Sequence, residues 1–195
     1  MKRVILLIPL IALVISCFSD LDPDPMKPVI FPAGQHRPIG LQVPQLYPKP
    51  VKIEVSLQFD AESIYQLPMA YQPNWNKITG LSFGNVHENS ARLVWRWLNN
   101  RIEIGRYTYV NGTREYGVID TITLGEVKRY RIGIDRLHRM YEYSVWDQET
   151  RGYQTRYRQL FFHKGNLGIL CNPYFGGSQP APKRVQFHMR DLLVR

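Results

Sequence analysis

The chain has 195 residues, 44% of them hydrophobic and 12% aromatic, with two cysteines and a formal net charge of +9. That length supports one domain with a sizeable core and barely two, and two cysteines exclude a disulfide-stapled scaffold. A basic excess points to anionic partners: nucleic acid, a membrane surface or an acidic polymer.

In chain order, Lys2 and Arg3 precede an apolar run from Val4 to Ile15. This reads as a signal peptide over 1–16, because a membrane span needs roughly 20 apolar residues. Val14-Ile15-Ser16-Cys17 has the form of a bacterial lipobox. Cleavage before Cys17 and its lipidation would anchor the chain to the outer membrane, facing the cell surface, without spanning the bilayer. An exported chain does not meet nucleic acid, so an acidic glycan becomes the sharper partner, and the membrane is touched only through the anchor. Cys171 is then the one cysteine left, a small buried hydrophobe rather than a nucleophile. The five histidines are scattered, and no Cys/His cluster has metal-ligand spacing.

Eight prolines fall between Pro23 and Pro50. Proline lacks an N–H and favours extended backbone, so 17–50 reads as a semi-rigid tether. The D-x-D-x-D run at Asp20, Asp22 and Asp24 lacks the glycine and distal glutamate of a calcium loop, so no metal or other cofactor is expected. It resembles the acidic export signal on surface lipoproteins of glycan-foraging bacteria.

From Val51 onward the hydrophobic period is two. In VKIEVSLQF, Ile53, Val55, Leu57 and Phe59 point one way; in SARLVWRW, Ala91, Leu93, Trp95 and Trp97 do so. Further alternating runs are predicted around 101–110, 114–122, 127–135, 140–146, 158–163, 167–171 and 184–190. Asn99-Asn100 and Asn111-Gly112 fall between consecutive runs, where a type I′ hairpin turn needs residues that tolerate positive φ. Asp60 to Gln66 could form one helical turn. The pattern predicts an all-β, two-sheet antiparallel sandwich over 51–195. Strict alternation from Ile102 and Ile104 would bury Arg106, so a bulge is expected there. Gly176-Gly177, in NPYFGG, joins two strands and lacks the helix N-terminus of a phosphate cradle. It reads as a corner, with Tyr174 or Phe175 plugging the end of the sandwich.

Catalytic signatures are sparse. No strand carries the closely spaced carboxylates of a sandwich glucanase, and neither a G-x-S-x-G elbow nor a P-loop is present. "QFH" at 186–188 is spaced like the Q-x-H pair of sandwich alginate lyases, with no matching partner strand. The polar halves of the strands offer a binding face instead: Arg92, Arg96, Glu103, Tyr107, Tyr109, Arg131 and Trp146. Aromatics stack on sugar faces while Arg and Glu hydrogen-bond hydroxyls and carboxylates.

The segments NKITGLSFGNVHENSARLVWRW (76–97), IEIGRYTYVNGTREY (102–116) and NPYFGGSQPAPKRVQF (172–187) resemble a group of bacterial lipoproteins with a concanavalin A-like lectin/glucanase domain. The shared motifs are N-K-x-x-G, N-S-x-R-x-x-W-R, Y-x-Y-x-N-G and P-Y-F-G-G-x-x-x-A-P. Gly105 and Arg106 depart from the pattern, which has an aromatic and a small residue there. The resemblance implies a concanavalin A-like jelly roll and no particular activity. The expected function is a surface-tethered, non-catalytic glycan-binding domain. The alternatives are a polysaccharide lyase or hydrolase using Glu103, a tyrosine and an arginine, and a structural lipoprotein without a ligand.

Overall fold

The computed structural model describes residues 25–40, 43–161 and 163–195. The signal peptide, Cys17 and the aspartates of the D-x-D-x-D run lie outside the described residues. The fold is a two-sheet antiparallel jelly-roll sandwich of twelve strands, six to a sheet. In chain order they are β1 (Lys27–Phe31), β2 (Leu46–Pro48), β3 (Lys52–Gln58), β4 (Asn76–Ser82), β5 (Ser90–Leu98) and β6 (Arg101–Val110). There follow β7 (Thr113–Ile122), β8 (Val127–Asp135), β9 (Met140–Asp147), β10 (Gly152–Leu160), β11 (Leu167–Cys171) and β12 (Val185–Val194). The first sheet runs β1-β12-β3-β8-β9-β10 and the second β2-β11-β4-β5-β6-β7. The expected helical turn is one 3-10 turn, Ala61–Ser63, whose N-cap Asp60 accepts from the Glu62 N–H.

Alternation builds the core. Ile53, Val55, Leu57 and Phe59 from β3 and its end face Ala91, Leu93 and Trp95 from β5, all fully buried. At the centre Phe59 packs 5.0 Å from Trp95 and 5.6 Å from Phe187. Polar bridges cross between the sheets: Thr108 Oγ1 meets the Tyr143 hydroxyl at 2.9 Å, and the Tyr130 hydroxyl donates to Asp120 at 3.0 Å. Both expected hairpin turns form: Asn99 (φ 52) with Asn100 (φ 57), and Asn111 (φ 49) with Gly112 (φ 79), the signs a type I′ turn requires.

The structure corrects the tether. β1 pairs with β12 and β2 with β11, so 27–31 and 46–48 belong to the sheets and the sandwich begins well before Val51. Pro28 and Pro48 are tolerated because both strands lie at sheet edges. Phe31 enters the core fully buried, 5.7 Å from Phe175. The segment after β1 also grips the NPYFGG corner. Phe175 N–H donates to the His36 carbonyl at 2.7 Å, Ala181 N–H donates to the Gln35 carbonyl at 3.0 Å, and the His36 ring stacks on Tyr174.

In the second sheet two strands depart from simple pairing. β4 was not expected at all: its pairing with β5 slips between Lys77 and Thr79, which breaks the period of two. At Arg106 the alternation holds and the side chain turns inward. The pairing slips in β7, between the partners of Ile104 and Gly105, leaving Ile119 unmatched. The Arg106 guanidinium lies over the Tyr157 ring of the opposite sheet at 3.4 Å, with Glu115 3.7 Å away. Ring and carboxylate together make the inward arginine tolerable.

Because β1 seals the core, Phe31→Ala is expected to cost about 3–5 kcal/mol in a denaturant titration. A chain beginning at Val51 is expected to show a lower thermal midpoint and to bind a hydrophobic dye. An unchanged midpoint would mean the first fifty residues are dispensable to the fold.

Candidate functional site

The outer face of the second sheet carries a cleft built by four adjacent strands and the corner. Outward alternation in β5 gives Arg92 and Arg96, with Val94 between them. In β6 it gives Glu103, Gly105, Tyr107 and Tyr109; β7 adds Arg114 and Tyr116, and β4 adds Lys77. Trp75, Val94 and Tyr107 form a small buried apolar cluster, with Tyr109 packed against it, separate from the main core. It is the floor on which the charged groups sit. A groove of about 650 Å³ is lined by Lys77, Arg92, Tyr107, Tyr109, Arg114 and Tyr174, among others, a size typical of ligand sites. A smaller hollow of about 220 Å³ over Trp75 and Tyr116 adjoins it, sharing Lys77, Tyr107, Arg114 and Gly177.

Two glycines make room for these side chains. A Cβ on Gly80 would lie 2.6 Å from the Arg92 Cγ, so only a bare backbone lets Arg92 lie across β4. A Cβ on Gly105 would lie 2.7 Å from the Trp75 ring, so Trp75 rests directly on β6. The position that departs from the expected aromatic thus accommodates an aromatic from a neighbouring segment.

The NPYFGG corner closes one wall. Lys77 N–H donates to the Tyr174 carbonyl at 2.7 Å, and Tyr174 N–H donates back to the Lys77 carbonyl at 3.0 Å. Phe175 is the plug, fully buried and edge-on to Tyr65 at 5.0 Å. Gly176 adopts φ 66, and a Cβ there would meet the Gln179 carbonyl at 2.2 Å, so the corner requires glycine. This turn does more than connect strands, because its carbonyls and the Tyr174 ring reach the cleft.

Lys77 is the chemical centre of the groove. Its Nζ donates to the carbonyl oxygens of Trp75 and Gly176, both at 2.9 Å, and lies 5.3 Å from the centroid of the Tyr107 ring. No aspartate or glutamate lines either hollow among the described residues. Burial, reinforced by the nearby Arg92 and Arg114 charges, holds the Lys77 ammonium down to about 8. Arg92 is 6% exposed and lies over Tyr107 at 4.7 Å and Tyr109 at 5.6 Å, with its Nε unpartnered. Arg114 donates to the Tyr107 hydroxyl at 3.5 Å. Burial raises the Tyr107 phenol above its ordinary value, although the Arg114 contact acts against it.

The structure divides the seven expected site residues. Arg92, Arg96, Glu103, Tyr107 and Tyr109 do share one outer face. Arg92, Tyr107 and Tyr109 line the groove. Arg96 and Glu103 instead form a buttress: Glu103, 2% exposed, accepts from Arg96 at 2.7 Å and from Arg101 at 2.8 Å. Arg96 also donates to the Pro73 carbonyl at 2.7 Å and covers the Trp75 ring at 4.1 Å. Arg131 and Trp146 are on the opposite outer face, that of the first sheet. There Arg131 pairs with Glu54 and lies over Tyr153 at 3.6 Å, while Trp146 meets Tyr153 edge-on at 5.2 Å. The QFH pair is also in the first sheet, where Gln186 donates to Asp60 at 3.3 Å. Lys77, Arg114, Tyr116 and Tyr174 were missed. Lys77 had one signal, its place in the N-K-x-x-G motif.

No protein-family model matches the sequence, and no curated protein matches it in sequence. Among solved structures the chain is similar to the alginate lyase from Klebsiella pneumoniae, at 15% identity and a TM-score of 0.58. That match covers 75% of this chain and 59% of the Klebsiella protein, so the chain spans well under two thirds of it. The alginate lyase vAL-1 from Chlorella virus is similar at 11% identity and a TM-score of 0.55, covering 87% of this chain and 84% of that one. A polysaccharide lyase of family 18, aly-SJ02, is similar at 8% identity and a TM-score of 0.50, over 90% and 89% of the two chains. At such identities the likeness establishes the β-sandwich fold.

The buttress assignment separates Glu103 from the chemistry of the groove. Glu103→Gln is expected to destabilise the chain by about 2 kcal/mol, read from a urea titration, while ligand affinity below the transition stays as in the parent. A stable variant with abolished binding would return Glu103 to the site.

Proposed function

We propose that the groove binds an acidic polysaccharide built of uronate residues and cleaves it by β-elimination, with Lys77 as the base. One observation carries this reading: a half-buried lysine ammonium beside two arginines and three tyrosines in an open groove that no carboxylate lines among the described residues. Perturbed titration in a cleft marks sites of proton transfer, and a base works best with its pKa near the operating pH. The names of the similar lyases support the reading as fold-level analogy only.

The residues divide the reaction among themselves. Arg92 and Arg114 present guanidinium groups to the substrate carboxylate, offsetting charge as the proton on the adjacent carbon is withdrawn. Neutral Lys77 takes that proton, and the two carbonyls at its Nζ hold the resulting ammonium. The electron pair forms the C4–C5 double bond and the C4–O bond breaks. Tyr107, kept protonated by burial, gives its proton to the departing oxygen. Products are a new reducing end and an unsaturated uronate on the other fragment. Hydrolysis fits poorly, because it calls for two carboxylates flanking the bond and Glu103 is spent on Arg96 and Arg101.

The same reading keeps the chain outside the cell, anchored through Cys17. The support is the basic start, the apolar run and the cysteine at its end.

Incubation with uronate and neutral polysaccharides should yield ultraviolet-absorbing unsaturated ends from the uronate polymers alone. Lys77→Ala should lower the rate by at least about 100-fold, the scale of general base catalysis. Because the base acts when neutral and its pKa is depressed, the rate should rise as pH increases through about 8 and be lost below it. Retention of uronate polymers without any cleavage would overturn the lyase in favour of a binding domain.

A further inference from the structure

Lys77 has a neighbour in sequence that reaches the same residue, Gly176, from the other side. Asn76 is 1% exposed and faces inward, opposite to Lys77. Its Oδ1 accepts the Gly176 N–H at 2.6 Å, and its Nδ2 donates to the Tyr65 hydroxyl at 2.9 Å. The Tyr65 hydroxyl in turn accepts the Trp97 N–H at 3.4 Å. The Gly176 carbonyl, on the cleft side, receives Lys77 Nζ at 2.9 Å. The Gly176 backbone is thus clamped at its N–H from the core by Asn76 and used at its carbonyl in the cleft by Lys77.

We infer that Asn76 is a positioning residue for Lys77, acting through the Gly176 backbone and fixing where the ammonium sits and how far water reaches it. The inference rests on the reading of Lys77 as the base. The left-handed corner cannot hold Gly176 in place unaided, because its N–H points into a buried region where an unmet donor is costly. An amide suits this task better than a hydroxyl or carboxylate, since it accepts from Gly176 and donates to Tyr65 at once without adding charge. The charged and titratable groups facing Lys77 are Arg92 from β5, Tyr107 from β6, Arg114 from β7 and Tyr174 from the corner. None of these is an anion at neutral pH, so the depth at which Lys77 is held governs its proton affinity.

Two variants test this. In Asn76→Ala the corner loses its clamp, the cleft floor hydrates, and the burial that depresses Lys77 eases. Asn76→Asp keeps an acceptor for Gly176 but loses the donor to Tyr65 and puts a negative charge on the core side of the residue whose carbonyl receives the ammonium. Both are expected to move Lys77 upward by about a unit. The measurement is a ¹³C NMR titration of the reductively ¹³C-methylated full chain, with Lys77→Arg identifying the resonance. The onset of the rate profile should shift to alkaline pH by the same amount, with kcat falling more than KM rises. If the Asn76→Ala chain does not fold, Asn76→Asp alone decides. If the parent's Lys77 titrates near 8 and the variants leave it there, the inference about Asn76 fails and the base assignment stands. If the parent's Lys77 titrates like an ordinary lysine, the base assignment itself fails.

Discussion

An ammonium group partly withdrawn from water, with peptide carbonyls and aromatic faces around it in place of a carboxylate, is the constraint that the other features of the second sheet serve. Withdrawing such a charge from water is unfavourable before compensation. Here compensation comes from the Trp75 and Gly176 carbonyls and the face of Tyr107. Those carbonyls are fixed by parts of the molecule remote from the groove. Gly176 follows Phe175, which packs in the core against Phe31 and Tyr65. Trp75 is pressed onto bare Gly105 under Arg96, and Arg96 is held by Glu103. Core packing, the corner and the buttress therefore support one electrostatic arrangement, and the edge strand β1 contributes to it through Phe31.

The two outer faces show how charge was distributed. On the first sheet two arginines have carboxylates: Arg131 with Glu54, and Arg158 with Glu142. Such pairs on an exposed sheet hold cross-strand register and add little stability. In the groove, the contacts of Arg92 and Arg114 among the described residues are aromatic rings and a phenol. A cation left without an anion in a concave, partly dry place is available to an anionic ligand, and its attraction there exceeds that in bulk water. The first-sheet aromatics Trp146 and Tyr153 already have Arg129 and Arg131 on their faces.

Much of the fold was legible because period-two alternation is a local signal: β3, β5, β6, β8 and β9 each declare which residues face inward. β4 was hidden because its register slip and Gly80 break the period where the cleft needs them. β1 and β2 were hidden by their prolines, which edge strands tolerate. For the site, alternation picked out Arg92, Tyr107 and Tyr109 as outward-facing. It could not say to which sheet a strand belongs, so Arg131 and Trp146 were grouped with residues on the far side of the sandwich. Nor could it reveal Lys77. A lysine in a strand reads as a solvated charge until the corner around Tyr174, nearly a hundred residues later, folds over it. Glu103 shows the converse limit, since an outward carboxylate invites a catalytic role until its two arginine partners are seen.

A crystal structure of the Lys77→Ala chain with a uronate oligosaccharide bound would test this account most directly. The account requires the oligosaccharide to lie in the second-sheet groove, with one carboxylate against the guanidinium groups of Arg92 and Arg114 and the sugar beside Tyr107. An oligosaccharide bound instead across Arg131 and Trp146 on the first sheet, with the groove empty, would contradict it.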